Sequence, residues 1–421
     1  MPAADGAARL NAYRARAVKG APSDAEVLAD PTRADARWLQ ARLDAAADAP
    51  GGGARTRAPR GLRVEAVEVE PFDTVTARAA RLRVRYRERP PAGARWAERL
   101  FLKCCDATGG VDPRSEPDYY GADYARLEGA PLVPCLDART VPGPDGGAPA
   151  GYLVLLADLS ATHRDRKLVA PTGPHARALG AALARLHAHR WRRDRDRTGR
   201  AVLEGTLERF VGHVRAGLAP VLAELDGALG EPRTRALRAC LDAPVGTLRR
   251  RLADPIGIVL VHGDPNPTNV LTPIAEDAAP APLPAGADAS AGDDGLRLID
   301  RQPFAWSPRV WPAAADLVGA SVPWWTPEER RALEPELLAG YHRTLAGRGV
   351  RDYPWRRLVE DYRTCLPHAV WTGVEWGTDA AALRDMRFLW SAQVERGLAA
   401  VEDWREAVPA PVAALGTGER A

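Results

Sequence analysis

The stretch Ile258-Val-Leu-Val-His-Gly-Asp-Pro-Asn-Pro-Thr-Asn-Val-Leu271 holds the residues best suited to chemistry. An apolar run delivers His262-Gly263-Asp264, and Asn269 follows that aspartate by five positions. A second apolar run, Leu296 to Ile299, ends at Asp300. Phosphoryl transfer from a nucleotide needs such a set of parts. One carboxylate lies near an incoming hydroxyl, to orient it and accept its proton. A second carboxylate and a neutral oxygen ligand hold magnesium on the nucleotide phosphates. Asp264 suits the first role; Asn269 and Asp300 suit the second. Each residue alone would read as a turn cap or a strand end. Their order, after two apolar strands, is what points to chemistry.

The surrounding elements must place these groups. The chain has 421 residues, enough for two or three domains and a sizeable core. An apolar fraction of 46% and a charged fraction of 27% exclude global disorder, collagen and a disulfide-stapled miniprotein. The net charge of +3 offers no large basic field for nucleic acid or anionic lipid. Five cysteines without a Cys-x-x-Cys pair read as reduced thiols, and no stretch approaches ~18 uninterrupted apolar residues. The N-terminus lacks the apolar core of a signal peptide, so the expected location is cytoplasmic.

Residues 1–60 read as a helical extension and a linker. Ser23 and Thr32 are candidate helix starts, Trp38, Leu39 and Leu43 form a stripe, and 50–60 is Gly/Pro-rich. Residues 61–158 read as β-rich. In Arg81–Arg87 four arginines alternate with Leu82, Val84 and Tyr86, the period of a half-buried antiparallel strand. Leu62–Glu70 is its expected partner, and Pro90–Gly93 a turn. Glu98–Cys105 is a third strand, with Phe101, Lys103 and Cys105 on one face and Leu100, Leu102 and Cys104 on the other. A helix is expected over 115–128, then strands near 133–139 and 151–156. Residues 159–408 read as mostly helical, including 175–190, 204–228 and 232–252. Thr326-Pro-Glu-Glu329 is a capping box. Residues 274–294, rich in Ala, Pro, Asp, Gly and Ser, read as a disordered insertion.

His-Gly-Asp-x-x-x-x-Asn followed by Ile-Asp resembles the catalytic and magnesium loops of the aminoglycoside phosphotransferase and choline kinase superfamily of small-molecule kinases. It is most similar to the aminoglycoside phosphotransferase and ecdysteroid-kinase-like branches, because Gly263 stands where choline kinases usually carry Asn. The resemblance implies an α+β, two-lobed protein-kinase-like fold. By this resemblance Asp264 is the catalytic base, Asn269 and Asp300 are metal ligands, and Asp316 is a structural brace of the catalytic loop.

The resemblance also gives Lys103 a meaning. The chain has only three lysines, Lys19, Lys103 and Lys167, and Lys103 alone follows an apolar run. A third-strand lysine in kinases pairs with the α- and β-phosphates and is held by a helix glutamate. A compact ammonium does this where Arg's planar fork substitutes poorly. Glu116, in Glu116-Pro-Asp-Tyr-Tyr120, is the expected partner, with Asp118 and Asp123 as alternatives. The loop Glu70–Ala77 lacks the glycines of a protein-kinase phosphate loop, though Thr74 and Thr76 could offer hydroxyls. Main chain around Leu156–Leu159, with Leu156 and Asp158 as candidate contacts, would meet the adenine. Nine of the twelve tryptophans follow residue 300; from among them Trp371 and Trp376, together with Glu375, are candidate acceptor contacts. Arg301 could face phosphate or solvent.

The expectation is therefore an ATP- or GTP-dependent, Mg²⁺-requiring phosphotransferase acting on a hydroxylated small molecule. No nucleic acid or membrane partner is expected. A choline-kinase-like amino-alcohol kinase and a non-catalytic nucleotide-binding pseudokinase are the alternatives. The sequence does not name the acceptor.

Overall fold

The computed structural model describes residues 21–48, 60–74, 77–91, 96–144, 146–191, 198–274 and 295–406. The expected insertion beyond Ile274, most of the 50–60 linker, Thr76 and part of the Pro90–Gly93 turn lie outside them. The fold is α+β and two-lobed. Among the described residues, no helix is long and apolar enough to cross a membrane.

The first lobe opens with α1 (Asp24–Ala29) and α2 (Ala36–Asp48). Ser23 caps α1 in a full capping box with Glu26. Thr32 starts no α-helix: Asp30 caps a short 3-10 turn there, and the Asp35 side chain accepts the Trp38 N–H at the start of α2. Then come β1 (Val64–Asp73), β2 (Arg78–Tyr86) and β3 (Arg99–Asp106). α3 (Ser115–Asp118) runs into a π turn over Tyr119–Asp123. β4 (Cys135–Val141) and β5 (Gly151–Ala157) complete an antiparallel sheet of order β1-β2-β3-β5-β4. The helix expected over 115–128 thus ends at 123. Pro117 is accommodated because it lies in the first turn, where its missing N–H costs nothing.

The alternation along β2 and β3 sorts the sheet's two faces. Leu82, Val84, Leu100, Leu102 and Cys104 pack against Val27, Leu28, Trp38, Leu39 and Leu43. The N-terminal helices therefore cover one face of the sheet as part of this lobe. Cys105, Tyr152 and Val154 face the other way, into the core shared with the second lobe.

After β6 (His163–Arg164) come α4 (Gly173–Arg190), α5 (Arg200–Leu225) and α6 (Gly230–Ala253). Leu179, Leu183 and Leu186 are buried along α4. Short strands β7 (Ile258–Leu260), β8 (Val270–Pro273), β9 (Arg297–Leu298) and β10 (Val310–Pro312) follow. β7 pairs with β10, and β8 lies between β6 and β9. The lobe closes with α7 (Ala314–Ser321), α8 (Pro327–Gly347), α9 (Trp355–Cys365), α10 (Pro367–Val374), a 3-10 turn (Glu375–Thr378), α11 (Ala380–Asp385) and α12 (Arg387–Glu406). Thr326 and Glu329 form the expected box at α8.

Candidate active site

β7 delivers His262-Gly263-Asp264 at its C-terminal end. Gly263 sits at φ +83°, and a Cβ there would lie 2.9 Å from the Gln302 Cβ, so only glycine fits. Asp316, in the first turn of α7, accepts the His262 N–H at 2.7 Å and the Gly263 N–H at 2.9 Å. His187 bonds the same carboxylate at 3.0 Å. Burial opposes ionisation of Asp316, but these donors together hold its carboxyl below the usual range. His262 is buried, and burial pushes its pKa down to about 4. Neutral, it donates from Nε2 to the Ile299 carbonyl at 3.0 Å and accepts the Asp264 N–H on Nδ1 at 3.3 Å. One imidazole thus ties the Asp264 loop to the strand that ends in Asp300.

The two aspartates are linked through Asn269. Its Nδ2 donates to the Asp264 carbonyl at 2.9 Å and to Asp264 Oδ2 at 3.1 Å, and lies 3.5 Å from the Asp300 carbonyl. Asn266 Nδ2 donates to Asp264 Oδ1 at 2.9 Å. Burial pushes Asp264 up to about 7, against the pull of the two amide donors and with the push of the Asp300 charge. Asp300 itself adopts φ +58°, a left-handed conformation costly for a residue with a Cβ. The strain re-aims its carboxylate toward the sheet, where Oδ1 accepts from Lys103.

Lys103 is buried and stands between two carboxylates. Glu116 Oε2 is 2.6 Å away on one side, and Asp300 pairs on the other. The Tyr152 hydroxyl donates to the same Glu116 oxygen at 2.7 Å. Burial alone would lower the Lys103 pKa, but the two negative charges outweigh it and hold the ammonium above its ordinary value. The alternatives pair elsewhere: Arg309 lies 3.2 Å from Asp118 and 2.8 Å from Asp123. Arg301 faces neither solvent nor the carboxylates. It is buried and donates to the Ser115 hydroxyl and to the Gln302 carbonyl at 3.0 Å.

Between the lobes, Leu156 is buried in β5, opposite Phe101 and Cys135. The Asp158 N–H donates to the Arg99 carbonyl at 3.1 Å, and its side chain accepts the Ser160 N–H at 2.9 Å. The Asp158 carboxylate therefore caps the turn that connects the lobes. The Thr74 hydroxyl closes its own turn with Ala77, donating to its carbonyl at 2.8 Å.

A cleft opens beside Asp264. Its walls include Phe210, Gln302, Trp306, Trp324 and Glu375. Trp306 stacks on His213 with ring centroids 3.9 Å apart. Burial, with the Asp264 charge, pushes Glu375 up to about 8. Of the three acceptor contacts expected from the sequence, only Glu375 lines this cleft. Trp371 stands one layer behind, edge-on to Phe210 at 5.3 Å, with its indole N–H on the Cys240 carbonyl at 2.8 Å. Trp376 is turned away, donating to Gln393 Oε1 at 3.1 Å. The reason is helical phase: α10 buries Trp371 against α6, and the following 3-10 turn points Trp376 at α12. Sequence reasoning missed Phe210, His213 and Trp306 because α5 and the segment after Asp300 meet only in the folded chain. Asn266 carried a signal, since it lies between Asp264 and Asn269.

No family model matches the chain, and no curated protein matches it. Solved structures do. The chain is similar to a glucosamine kinase in complex with glucosamine, ADP and inorganic phosphate, at 16% identity over 91% of this chain and 100% of that one, with a TM-score of 0.40. It is similar to an ethanolamine kinase of Plasmodium vivax, at 12% identity over 80% of this chain and 81% of that one, with a TM-score of 0.43. It is also similar to a putative aminoglycoside phosphotransferase of Ralstonia eutropha, at 11% identity over 87% of this chain and 97% of that one, with a TM-score of 0.43.

Proposed function

We propose that this chain is a small-molecule kinase of the aminoglycoside phosphotransferase and choline kinase superfamily, transferring the γ-phosphate of a nucleoside triphosphate to a hydroxyl. One observation carries the reading. Asp264, Asn269, Asp300, Lys103 and Glu116, drawn from both lobes, form one bonded network beside a cleft. In this reading the Lys103 ammonium meets the α- and β-phosphates, with Glu116 and Tyr152 fixing its position. The turn after β5 offers main chain to the base. Asp264 orients the acceptor hydroxyl and takes its proton; a pKa near 7 suits a general base at neutral pH.

Among the described residues, no three His, Cys, Asp or Glu side chains are grouped to hold a metal ion. The residues instead fit Mg²⁺, which keeps several waters and takes only one or two protein oxygens beside phosphate. The Asn269 amide oxygen and the Asp300 carboxylate would hold it. Bound there, it would neutralise charge on the transferring phosphates.

Glu375 favours an acceptor carrying an amine. A cation entering that cleft would ionise the half-buried carboxyl and pair with it, while Trp306 offers a ring face. The test is release of ADP across a panel of hydroxylated amines and sugars, with wild type and Asp264→Asn. The expected result is acceptor- and Mg²⁺-dependent release, lower by about 10²–10⁴ in the variant. Release that ignores every acceptor, or equal rates in the variant, would contradict the reading.

A further inference from the structure

A second cleft lies beside the first and shares Pro265 and Trp324 with it. Its chemistry is different. Among the described residues, three cations line it, Arg166, Lys167 and Arg396, with one carboxylate, Glu329. That carboxylate is engaged in the α8 capping box, where it accepts the Thr326 N–H at 2.9 Å. Arg166 and Arg396 are half-buried and held in place by main-chain oxygens. Arg166 donates to the Ala170 carbonyl at 3.0 Å, and Arg396 donates to the Pro323 carbonyl at 3.0 Å. Lys167 is exposed and lies 3.4 Å from Asp165. The first turns of α4 and α8 also border the cleft, through His175 and Glu329. Their positive dipole ends add to the same field. His175 adds no charge: burial and the Arg166 guanidinium push its pKa down to about 4.

Apart from Thr326, the rest of the described lining is apolar. Trp324, Trp325 and Val169 form walls, and Leu168 stands at the rim with its side chain 90% exposed. Cationic groups beside aromatic and aliphatic walls suit an anion borne on a carbon skeleton.

We propose that this second cleft binds a small phosphate monoester. The dianion would lie between the guanidiniums of Arg166 and Arg396, with the Lys167 ammonium at the mouth. The organic part would lie against Trp324 and Trp325. The site is coupled to the Asp264 loop by construction. The Arg166 N–H donates to the Pro267 carbonyl at 2.9 Å, and both Pro265 and Pro267 line the cleft. Occupancy there would therefore bear on the loop that holds Asp264 and Asn269. The proposal does not depend on the phosphotransferase reading, because it concerns a different set of residues.

The test is calorimetric titration of phenyl phosphate, without nucleotide, into the full chain. Four proteins are compared: wild type, Lys103→Met, Lys167→Glu and the double variant Arg166→Gln/Arg396→Gln. Thermal melts confirm that each is folded. Binding should persist in Lys103→Met, weaken at least tenfold in the double variant and weaken about threefold in Lys167→Glu. Binding lost in Lys103→Met but intact in the other two would place the anion at the nucleotide site and overturn the proposal. So would the absence of binding to wild type. Benzoate binding as tightly as phenyl phosphate would overturn the assignment to phosphate. Should the double variant fail to fold, Lys167→Glu decides, since its side chain is exposed; unchanged affinity there overturns the proposal.

Discussion

At the scale of single residues, the general-base role proposed for Asp264 sets the expected pH dependence. Its carboxyl must be ionised to accept a proton, and burial pushes its pKa to about 7. The kcat/KM profile of the free enzyme should therefore rise with pH up to about 7 and fall roughly tenfold per unit below it. The same shift has a stability consequence. The folded pKa lies above the ordinary value of 3.8, so protonation favours the folded state. That contribution is complete below about 4 and lost as pH rises through about 7. Asp264→Asn should thus lose turnover while its Tm, relative to wild type, rises between pH 5 and pH 8. Melting curves at the two pH values check this. Glu116→Gln removes one charge beside Lys103 but leaves Asp300 and the Tyr152 hydroxyl in place. Nucleotide affinity should fall about tenfold, or ~1.4 kcal/mol, with little change in Tm; equilibrium titration of nucleotide reads it. These residues were legible in the sequence for physical reasons. Asp264 and Asn269 lie on one short loop, and Asp300 ends the next apolar run, so their order and the motif they resemble marked all three. Lys103 stood out because arginine replaces lysine almost everywhere else. Trp371 and Trp376 misled because α10 ends at Val374 and a 3-10 turn begins at Glu375, a change of pitch that the sequence does not mark.

At the scale of elements, the positioning is done by packing that sequence patterns show only in part. The stripe Trp38, Leu39 and Leu43 marked α2 as amphipathic, yet nothing local said that the sheet would receive it. In the structure α1 and α2 cover the outer face of β2, β3 and β5, and Trp38 is nearly fully buried there. Trp38→Ala should cost about 3–5 kcal/mol and lower the Tm clearly. An unchanged Tm would mean that the segment is a dispensable extension. The aromatic wall of the first cleft is a second case. Phe210 and His213 come from α5, Trp306 from the loop after Asp300, and their stacking becomes visible only in three dimensions. On the proposed reading, in which this cleft takes the acceptor, Trp306→Ala should raise the acceptor KM at least tenfold and leave the nucleotide KM within about twofold, as steady-state kinetics with each substrate varied would show.

At the scale of the whole molecule, the two lobes are joined by more than the turn after β5. The Asp112 N–H donates to the Pro303 carbonyl at 2.7 Å, and the Ala305 N–H to the Gly110 carbonyl at 2.8 Å. Val111 and Phe304 form a bridge between the same segments. Arg301 and Ser115 reinforce it. The segment that follows Asp300 is thus anchored to the sheet lobe and at the same time supplies Trp306 to the cleft. These pairings join residues nearly two hundred positions apart, so no periodicity or motif announces them. On the proposed reading, this arrangement presents Lys103 and Asp300 to a magnesium–nucleotide complex. Calorimetric titration of ATP, then GTP, with and without Mg²⁺, into wild type and Asp300→Asn tests it without knowledge of the acceptor. Mg²⁺-dependent binding of one nucleotide, weakened at least tenfold in the variant, is the expected result. Binding of neither nucleotide, or binding indifferent to both Mg²⁺ and Asp300, would contradict it.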